Sequence, residues 1–201
     1  MEKDQQLIGQ AFKLMFSMGI KNLTMDDISR HLGISKKTLY RVVPNKSMLV
    51  QMLMENTIES NKKAITAIIS KNLNAIDEIR EIYRFNIEMF RNMHPSVGFE
   101  LKKYYPEAWQ LLENFKSGFI YGCVRENLKK GIEQKLYRPD INTQILGKLY
   151  TTRITEIFNS DVFPPDEFPR EVVLKEMFKY HVRGISSAKG LKYLEGEKID
   201  F

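Results

Sequence analysis

Apolar residues recur with the spacing of α-helices along most of this chain. In the segment from Leu7 to Gly19 they come in pairs every four residues, so that they share one face of a helix. Later segments repeat this pattern, and glycine, proline or asparagine residues separate them. No segment alternates apolar and polar residues as a half-buried strand does, and no internal repeat occurs. The pattern therefore predicts an all-α fold of about nine helices.

Five long helices are predicted in the larger, C-terminal part of the chain. They are expected at about residues 45–70, 76–93, 106–131, Ile141–Ser160 and Glu171–Ser187. The last two carry apolar residues over a wide arc, which in the first of them extends to Phe158. Such an arc is typical of a helix in the centre of a large core or of one shared with a second chain.

Two short helical patterns with a tight turn between them occupy residues 24–43. Thr24 can cap the first helix through its hydroxyl group. Gly33 can end that helix, because glycine reaches left-handed dihedral angles without a steric clash, and Ser35 can cap the next helix. The second helix turns Leu39 inward and presents cationic and hydroxylated side chains outward. This arrangement predicts a helix-turn-helix motif, which places side chains in the major groove of DNA.

The segment Leu7–Leu53 resembles the DNA-binding domain of the TetR/AcrR family of bacterial transcription regulators. The shared features are the glycine-ended first helix, the Thr24 cap, the Gly33-Ile34-Ser35 turn, the Thr38-Leu39-Tyr40 sequence and Lys46 at the start of a long fourth helix. The resemblance implies a three-helix DNA-binding domain at residues 1–47 and an effector-binding and dimerisation domain at residues 48–188. Residues 189–201 are short and charged, and we predict that they form a tail.

The exposed face of the recognition helix and the starts of the neighbouring helices supply the candidate DNA contacts. These residues are Thr24, Lys36, Lys37, Thr38, Tyr40, Arg41 and Lys46. Lys37 and Arg41 lie one helical turn apart and can both donate to guanine O6 and N7, so we predict that they read bases. Lys46 lies in the first turn of its helix, where backbone amides favour an anion. We expect phosphate contacts from Lys46, Thr24, Thr38 and Tyr40, and either role from Lys36.

Charge is distributed unevenly along the chain, whose net charge is +6. Residues 1–47 contain eight Lys or Arg and four Asp or Glu, whereas the other 154 residues contain 23 and 21. This excess suits a module that faces phosphates, although small basic segments are often only solvated. Cys123 is the single cysteine, so an intrachain disulfide is impossible. No apolar run approaches the ~18 residues of a membrane span, so we expect a cytoplasmic protein without a membrane partner.

The residue inventory does not favour an enzyme. The three histidines, His31, His94 and His181, lie on separate segments, and none has a second His or Cys at the spacing of metal ligands. The chain also lacks a glycine-rich phosphate loop and a nucleophile elbow. We therefore expect no catalytic residues, no metal site and no cofactor.

The family resemblance implies that the last two long helices pair with those of a second copy as a four-helix dimer interface. The candidate interface residues are Ile145, Leu149, Ile157, Leu174, Met177, Phe178, His181 and Ile185. Two-fold symmetry would let two recognition helices read successive major grooves of a palindromic operator in double-stranded DNA. The alternative is that these apolar faces form only an intrachain core.

The middle of the chain is rich in aromatic residues, and the resemblance implies that it forms an effector pocket. The candidate pocket residues are Asn86, Phe90, Tyr104, Trp109, Phe119, Tyr121 and Arg153. Aromatic residues at helical spacing are also common in an ordinary core. The expected function is a repressor that a small-molecule effector releases from DNA. The alternative is a DNA-binding regulator of the same fold that has no effector and signals through a protein partner.

Overall fold

The computed structural model describes residues 2–91, 93–157, 159 and 161–196. Over these residues the chain is helical and contains no strand, which confirms the predicted all-α fold. The helices are α1 (Glu2–Met18), α2 (Met25–His31), α3 (Lys36–Val42), α4 (Lys46–Ile69), α5 (Ala75–Arg91), α6 (Val97–Tyr104), α7 (Pro106–Phe115), α8 (Tyr121–Glu133), α9 (Thr143–Glu156), α10 (Arg170–Ile185) and α11 (Ala188–Gly196). No helix in the described ranges is sufficiently long and apolar to cross a membrane.

A π-helical segment, Lys116–Ile120, joins α7 to α8 without a break. The predicted helix at residues 106–131 is therefore uninterrupted, and the predicted total of about nine helices is confirmed. Two short helices, α6 and α11, were not predicted. Phe158 and Ser160, at the end of a predicted helix, lie outside the described residues, as do residues 197–201 of the predicted tail.

The first residues of the predicted tail form a helix in the structure. This helix, α11, packs within the second unit. Leu194 is buried, and Gly190 lies so close to the Leu136 carbonyl oxygen that a Cβ atom would come within 2.1 Å of it. The phenol of Tyr193 donates a hydrogen bond of 2.6 Å to Asp77. Three of the nine residues of α11 are charged, and its apolar positions are enough to attach it.

The chain divides into two compact units. The first comprises the described residues of Met1–Asn61 and Asn92–Asn114, and the second those of Lys62–Arg91 and Phe115–Phe201. The first unit has a core from α1 to α4 that includes Ala11, Met15, Ile28, Leu39 and Leu49. The second unit has a core that includes Ile76, Leu128, Tyr137, Phe178 and Val182.

A buried polar chain connects α5 to α8 inside the second unit. The Tyr137 hydroxyl donates to Asn127 Oδ1 at 3.0 Å, and Asn127 Nδ2 donates to Glu78 Oε1 at 2.9 Å. Glu78 Oε2 in turn accepts from the Lys130 ammonium group at 2.6 Å. Gly131 is required beside this chain, because a Cβ atom there would lie 1.9 Å from the Tyr137 ring. The side chains of Tyr137, Asn127, Glu78 and Lys130 thus satisfy one another, which offsets the cost of their desolvation.

Candidate nucleic-acid interface

Helix α2 begins with a reciprocal capping box. The Thr24 hydroxyl oxygen accepts from the Asp27 amide at 3.1 Å, and Asp27 Oδ2 accepts from the Thr24 amide at 3.0 Å. These hydrogen bonds with Thr24 lower the pKa of the Asp27 carboxyl. The two bonds satisfy amides that have no partner within the helix and fix where α2 starts.

A tight turn connects α2 to α3. Gly33 adopts a φ of +65°, which only glycine reaches at little energetic cost, and the Ile34 amide donates to the Ser29 carbonyl at 3.0 Å. Ser35 then caps α3, since its hydroxyl oxygen accepts from the Thr38 amide at 3.1 Å. The two caps and the glycine set the angle at which α3 leaves α2.

Helix α3 has a single buried residue and an otherwise solvent-facing surface. Leu39 is fully buried, whereas Lys36, Lys37, Tyr40 and Arg41 are exposed. Lys37 and Arg41 share one face because they are four residues apart. The ammonium group of Lys36 pairs with the carboxylate of Asp26 in α2. The exposed surface is thus cationic and is attached through one apolar anchor.

Two of the hydroxyl groups predicted to contact phosphates already have partners within the chain. Thr24 Oγ1 donates to Asp27 Oδ2 at 2.6 Å. Thr38 Oγ1 lies 2.8 Å from Ser35 Oγ, and either atom can be the donor. A phosphate contact from Thr24 therefore requires its hydroxyl group to exchange one hydrogen bond for another, whereas Thr38 can donate to a phosphate while it accepts from Ser35.

Lys46 begins α4, and Asn45 caps this helix by accepting from the Met48 amide at 2.9 Å. The Lys46 ammonium group donates to the Lys21 carbonyl at 3.4 Å, in the loop between α1 and α2. Burial lowers the pKa of Lys46, and the nearby Glu100 and Asp27 carboxylates oppose that shift. Lys46 therefore lies beside the loop that precedes α2.

Glu100 in α6 is a functional candidate that sequence reasoning missed. Its side chain is 5% exposed, and Oε2 accepts from the backbone amides of Ile20 at 2.6 Å and Lys21 at 2.9 Å. These bonds attach α6 to the loop that precedes α2. One signal was available in the sequence, because an acid between Val97 and Leu101 interrupts an apolar helix face and indicates a buried partner.

The structure separates the residues predicted for a dimer interface into two groups. Ile145 and Leu149 in α9 are 57% and 47% exposed, and Met177 in α10 is half-buried. The other five are buried within this chain: Ile157, Leu174, Phe178, His181 and Ile185. Two further apolar side chains on α10, Val172 and Tyr180, are 53% and 68% exposed. An unpartnered apolar face therefore remains on α9 and α10.

The residues predicted for an effector pocket lie in both units. Four belong to the second unit and are half-buried: Asn86, Phe90, Phe119 and Tyr121. Tyr104 and Trp109 belong to the first unit, and Tyr104 is exposed and accepts a hydrogen bond of 3.2 Å from the Lys21 ammonium group. Arg153 is also exposed, and its guanidinium lies 5.2 Å from the centre of the Tyr180 ring. Five of the seven candidate residues therefore belong to the second unit and two to the first.

In the part of the chain that the structure describes, no group of three or more His, Cys, Asp or Glu side chains could hold a metal ion. Cys123 is half-buried, and burial raises the pKa of its thiol, with a smaller effect from Glu78.

Comparison with known proteins agrees with this geometry. Residues 7–53 match the family model described as "Bacterial regulatory proteins, tetR family". Over 185 aligned residues the chain is 25% identical to the uncharacterized HTH-type transcriptional regulator YvaF of Bacillus subtilis (strain 168). The alignment covers 92% of this chain and 96% of YvaF.

Solved structures of similar fold include the regulatory protein TetR from Rhodobacter sphaeroides. Its TM-score is 0.70 at 14% identity, over 88% of this chain and 97% of that one. The transcriptional regulator FadR from Bacillus subtilis, solved in complex with stearoyl-CoA, has a TM-score of 0.65 at 16% identity, over 90% and 98%. At these identities the likeness shows a common fold.

Proposed function

We propose that this chain, a DNA-binding transcriptional regulator whose residues 7–53 match the tetR family of bacterial regulatory proteins, is a cytoplasmic repressor. A small-molecule effector releases it from a palindromic operator. The observation that carries this proposal is the surface of α3, where one buried leucine anchors a helix whose remaining face is cationic and exposed. A helix presented in this way fits the major groove of B-form DNA.

In this proposal Lys37 and Arg41 read bases. Both are exposed, and their spacing of one turn lets them reach neighbouring base pairs from the same helix face. Thr24, Thr38, Tyr40 and Lys46 contact phosphates, which fixes the position of α3 but carries no sequence information. The ion pair with Asp26 holds Lys36 toward α2, so that Lys36 contributes mainly charge.

The regulator acts as a homodimer in this proposal. The exposed apolar residues Ile145, Leu149, Val172 and Tyr180 support a second copy as the partner of α9 and α10, because apolar surface gains free energy when water is excluded from it. The five buried residues of the predicted interface then act indirectly, by supporting these helices from inside the chain.

The effector occupies the aromatic part of the second unit, near Asn86, Phe90, Phe119 and Tyr121. Phe119 stacks on Phe115 with a centroid distance of 5.6 Å, and the half-buried amide of Asn86 supplies a polar group that can orient a ligand. We leave Tyr104 and Arg153 out of this site because both are exposed. The related FadR structure contains stearoyl-CoA, which supports an effector with an apolar portion.

In vitro selection of duplex DNA, followed by affinity measurements, tests the DNA-binding part of the proposal. Lys37→Ala should reduce discrimination between the selected operator and point-substituted operators, by about 1–3 kcal/mol at the base that Lys37 reads. Lys46→Ala should weaken binding to all sequences alike and flatten the salt dependence.

Lys192→Ala, at an exposed position in α11, serves as the control and should change neither property. An equal loss of affinity for all sequences in Lys37→Ala would assign Lys37 to the backbone. A wild-type protein that enriches no sequence from the pool would overturn the DNA-reading proposal itself.

A further inference from the structure

An exposed cluster of lysine and aromatic side chains lies beside the helix-turn-helix motif and takes no part in the function proposed above. We call it the α6 patch, and it consists of Lys21, Phe99, Lys102, Lys103 and Tyr104. Phe99 is 51% exposed and Tyr104 is 38% exposed. All of these residues belong to the first compact unit, together with α2 and α3.

The rings of the α6 patch hold two of its lysines, Lys21 and Lys103, in place. The Lys103 ammonium group lies 5.2 Å from the centre of the Phe99 ring and 5.4 Å from that of Tyr104. The Lys21 ammonium group lies 4.9 Å from the centre of the Tyr104 ring and donates to its hydroxyl oxygen at 3.2 Å. Contacts of this kind attract the cation to the ring face and reduce the freedom of the lysine side chain.

The charges of the patch remain available to an anion. Among the described residues no carboxylate pairs with Lys21, Lys102 or Lys103. Glu100, the one acid of α6, is buried and accepts from the backbone amides of Ile20 and Lys21. Because Lys21 donates to the Tyr104 oxygen, the phenolic proton of Tyr104 is free to be donated outward.

The α6 patch continues the surface that carries the proposed phosphate contacts. Lys21 is three residues before Thr24, and its carbonyl accepts from the ammonium group of Lys46. The Glu100 carboxylate holds α6 against this same loop through two hydrogen bonds. The patch and Lys46 are therefore attached to one short loop, which ends at Thr24.

We propose that the α6 patch is a second DNA-binding surface, which binds the phosphodiester backbone of the duplex next to the groove that α3 reads. Lys21, Lys103 and the Tyr104 hydroxyl donate to phosphate oxygens, and Lys102 adds charge. The contact is independent of sequence, because lysine and phenol donors on a backbone do not reach base edges. This inference rests on the proposed function, since it requires that α3 bring duplex DNA to this side of the unit.

The test uses the full-length double variant Lys102→Gln/Lys103→Gln and the single variant Tyr104→Phe, with Lys192→Gln as the matched control. Affinity for the selected operator and for a mixed-sequence duplex is measured at several salt concentrations. Loss of each phosphate contact should lower the slope of log affinity against log salt by about 0.9. We expect the double variant to lose slope equally on both duplexes and to keep its base preference. Tyr104→Phe should lose affinity with a smaller change in slope.

The outcomes separate the two proposals. If wild-type protein binds the operator and Lys37→Ala loses base preference, but the double variant keeps the wild-type slope, then the α6 patch does not contact DNA. If wild-type protein binds no duplex, the proposed function fails, and the α6 patch as a DNA contact fails with it. Salt-sensitive binding of the wild type to phosphatidylserine vesicles, lost in the double variant while DNA binding is kept, would assign the patch to an anionic membrane surface instead. Circular dichroism melting of each variant confirms that it is folded.

Discussion

His181 in α10 is a buried histidine whose charge the fold does not accommodate. Its Nε2 atom is buried and has no hydrogen-bond partner among the described residues. The Tyr150 ring of α9 lies 4.7 Å away, centre to centre. Burial lowers the pKa of His181 to about 4, and the positive charge of Arg153 lowers it further in the same direction. The native state therefore keeps this imidazole neutral over a range in which a free histidine is protonated.

This difference predicts a loss of stability in mild acid. Because the unfolded chain binds the proton near pH 6.5 and the folded chain only near pH 4, the contribution of His181 is complete above pH 6.5 and declines as the pH falls toward 4. The decline should total about 3 kcal/mol at about 1.4 kcal/mol per pH unit. Urea unfolding of wild type and His181→Gln between these limits measures it, with His31→Gln as a control for an exposed histidine. Parallel curves for wild type and His181→Gln would contradict the prediction.

Single residues with local partners were predictable, and those with distant partners were not. The caps at Thr24 and Ser35 and the inward position of Leu39 follow from spacing within a few residues, and the structure contains all three. The role of Glu100 depends on amides about 80 positions away in the chain. A short-range pattern identifies such an acid as anomalous but does not identify its partner.

At the scale of elements, Glu100 attaches α6 to the loop between α1 and α2 through two hydrogen bonds. Glu100→Ala would leave two amides of the α1–α2 loop without their acceptor, at a cost of about 1–3 kcal/mol for each amide that water does not reach. Glu100→Gln keeps one acceptor oxygen, which can serve both amides, while it removes the charge and replaces the other oxygen by an NH2 group, so it should lose less stability.

If the loop positions Thr24 and Lys21 for DNA, operator affinity should follow the same order: wild type, Glu100→Gln, Glu100→Ala. Thermal unfolding and operator titration on the three proteins check this order. Equal stability in all three would show that the loop does not depend on the carboxylate.

The helical segment from α7 to α8 shows what the spacing of apolar residues can and cannot predict about an element. Apolar spacing predicted one helix at residues 106–131, and the structure contains it. The π-helical segment was not predicted, because one extra residue per turn does not change which residues are apolar. Its effect is visible in the contacts with α9: Lys116 donates to the Thr155 hydroxyl, while Tyr121 lies against Gly147. Lys116 and Tyr121, which are five residues apart across the π-helical segment, thus both face α9.

At the scale of the whole molecule, the wide apolar arcs of α9 and α10 left two explanations open, a large core and a dimer. Their outward members remain exposed while the inward ones are buried within this chain, so each arc has a part that its own chain does not cover. A sequence gives the width of an arc but not which part faces its own core. Surface exposure in the folded chain supplies that information.

The dimer proposal predicts that a charge at Leu149 disrupts assembly. Leu149→Glu would place an unpaired carboxylate in a desolvated interface, and its burial should cost several kcal/mol. Leu191→Glu, at an exposed apolar position in α11, is the matched control. Light scattering at micromolar concentration should report a dimer for wild type and for Leu191→Glu, and a monomer for Leu149→Glu. A monomeric wild type would remove the homodimer and, with it, the palindromic operator.

The effector proposal links ligand binding to DNA release across one continuous element. Helix α4 begins at Lys46, within the first compact unit, and ends at Ile69, within the second. An effector can lower operator affinity only if it binds the DNA-released conformation more tightly than the DNA-bound one. A coupling of about 1–3 kcal/mol corresponds to a change of 5- to 150-fold in operator affinity.

Thermodynamic reciprocity makes this coupling testable from both sides. We predict that operator DNA weakens effector binding by the same factor by which the effector weakens DNA binding, because both factors come from a single free-energy cycle. Fluorescence of Trp109, the only tryptophan, allows metabolites and lipophilic compounds to be screened, and calorimetry with and without DNA then measures both affinities. Phe119→Ala should weaken effector binding and leave unchanged the operator affinity that is measured without effector. If no compound alters either Trp109 emission or operator affinity, the effector-free regulator that signals through a protein partner becomes the better explanation.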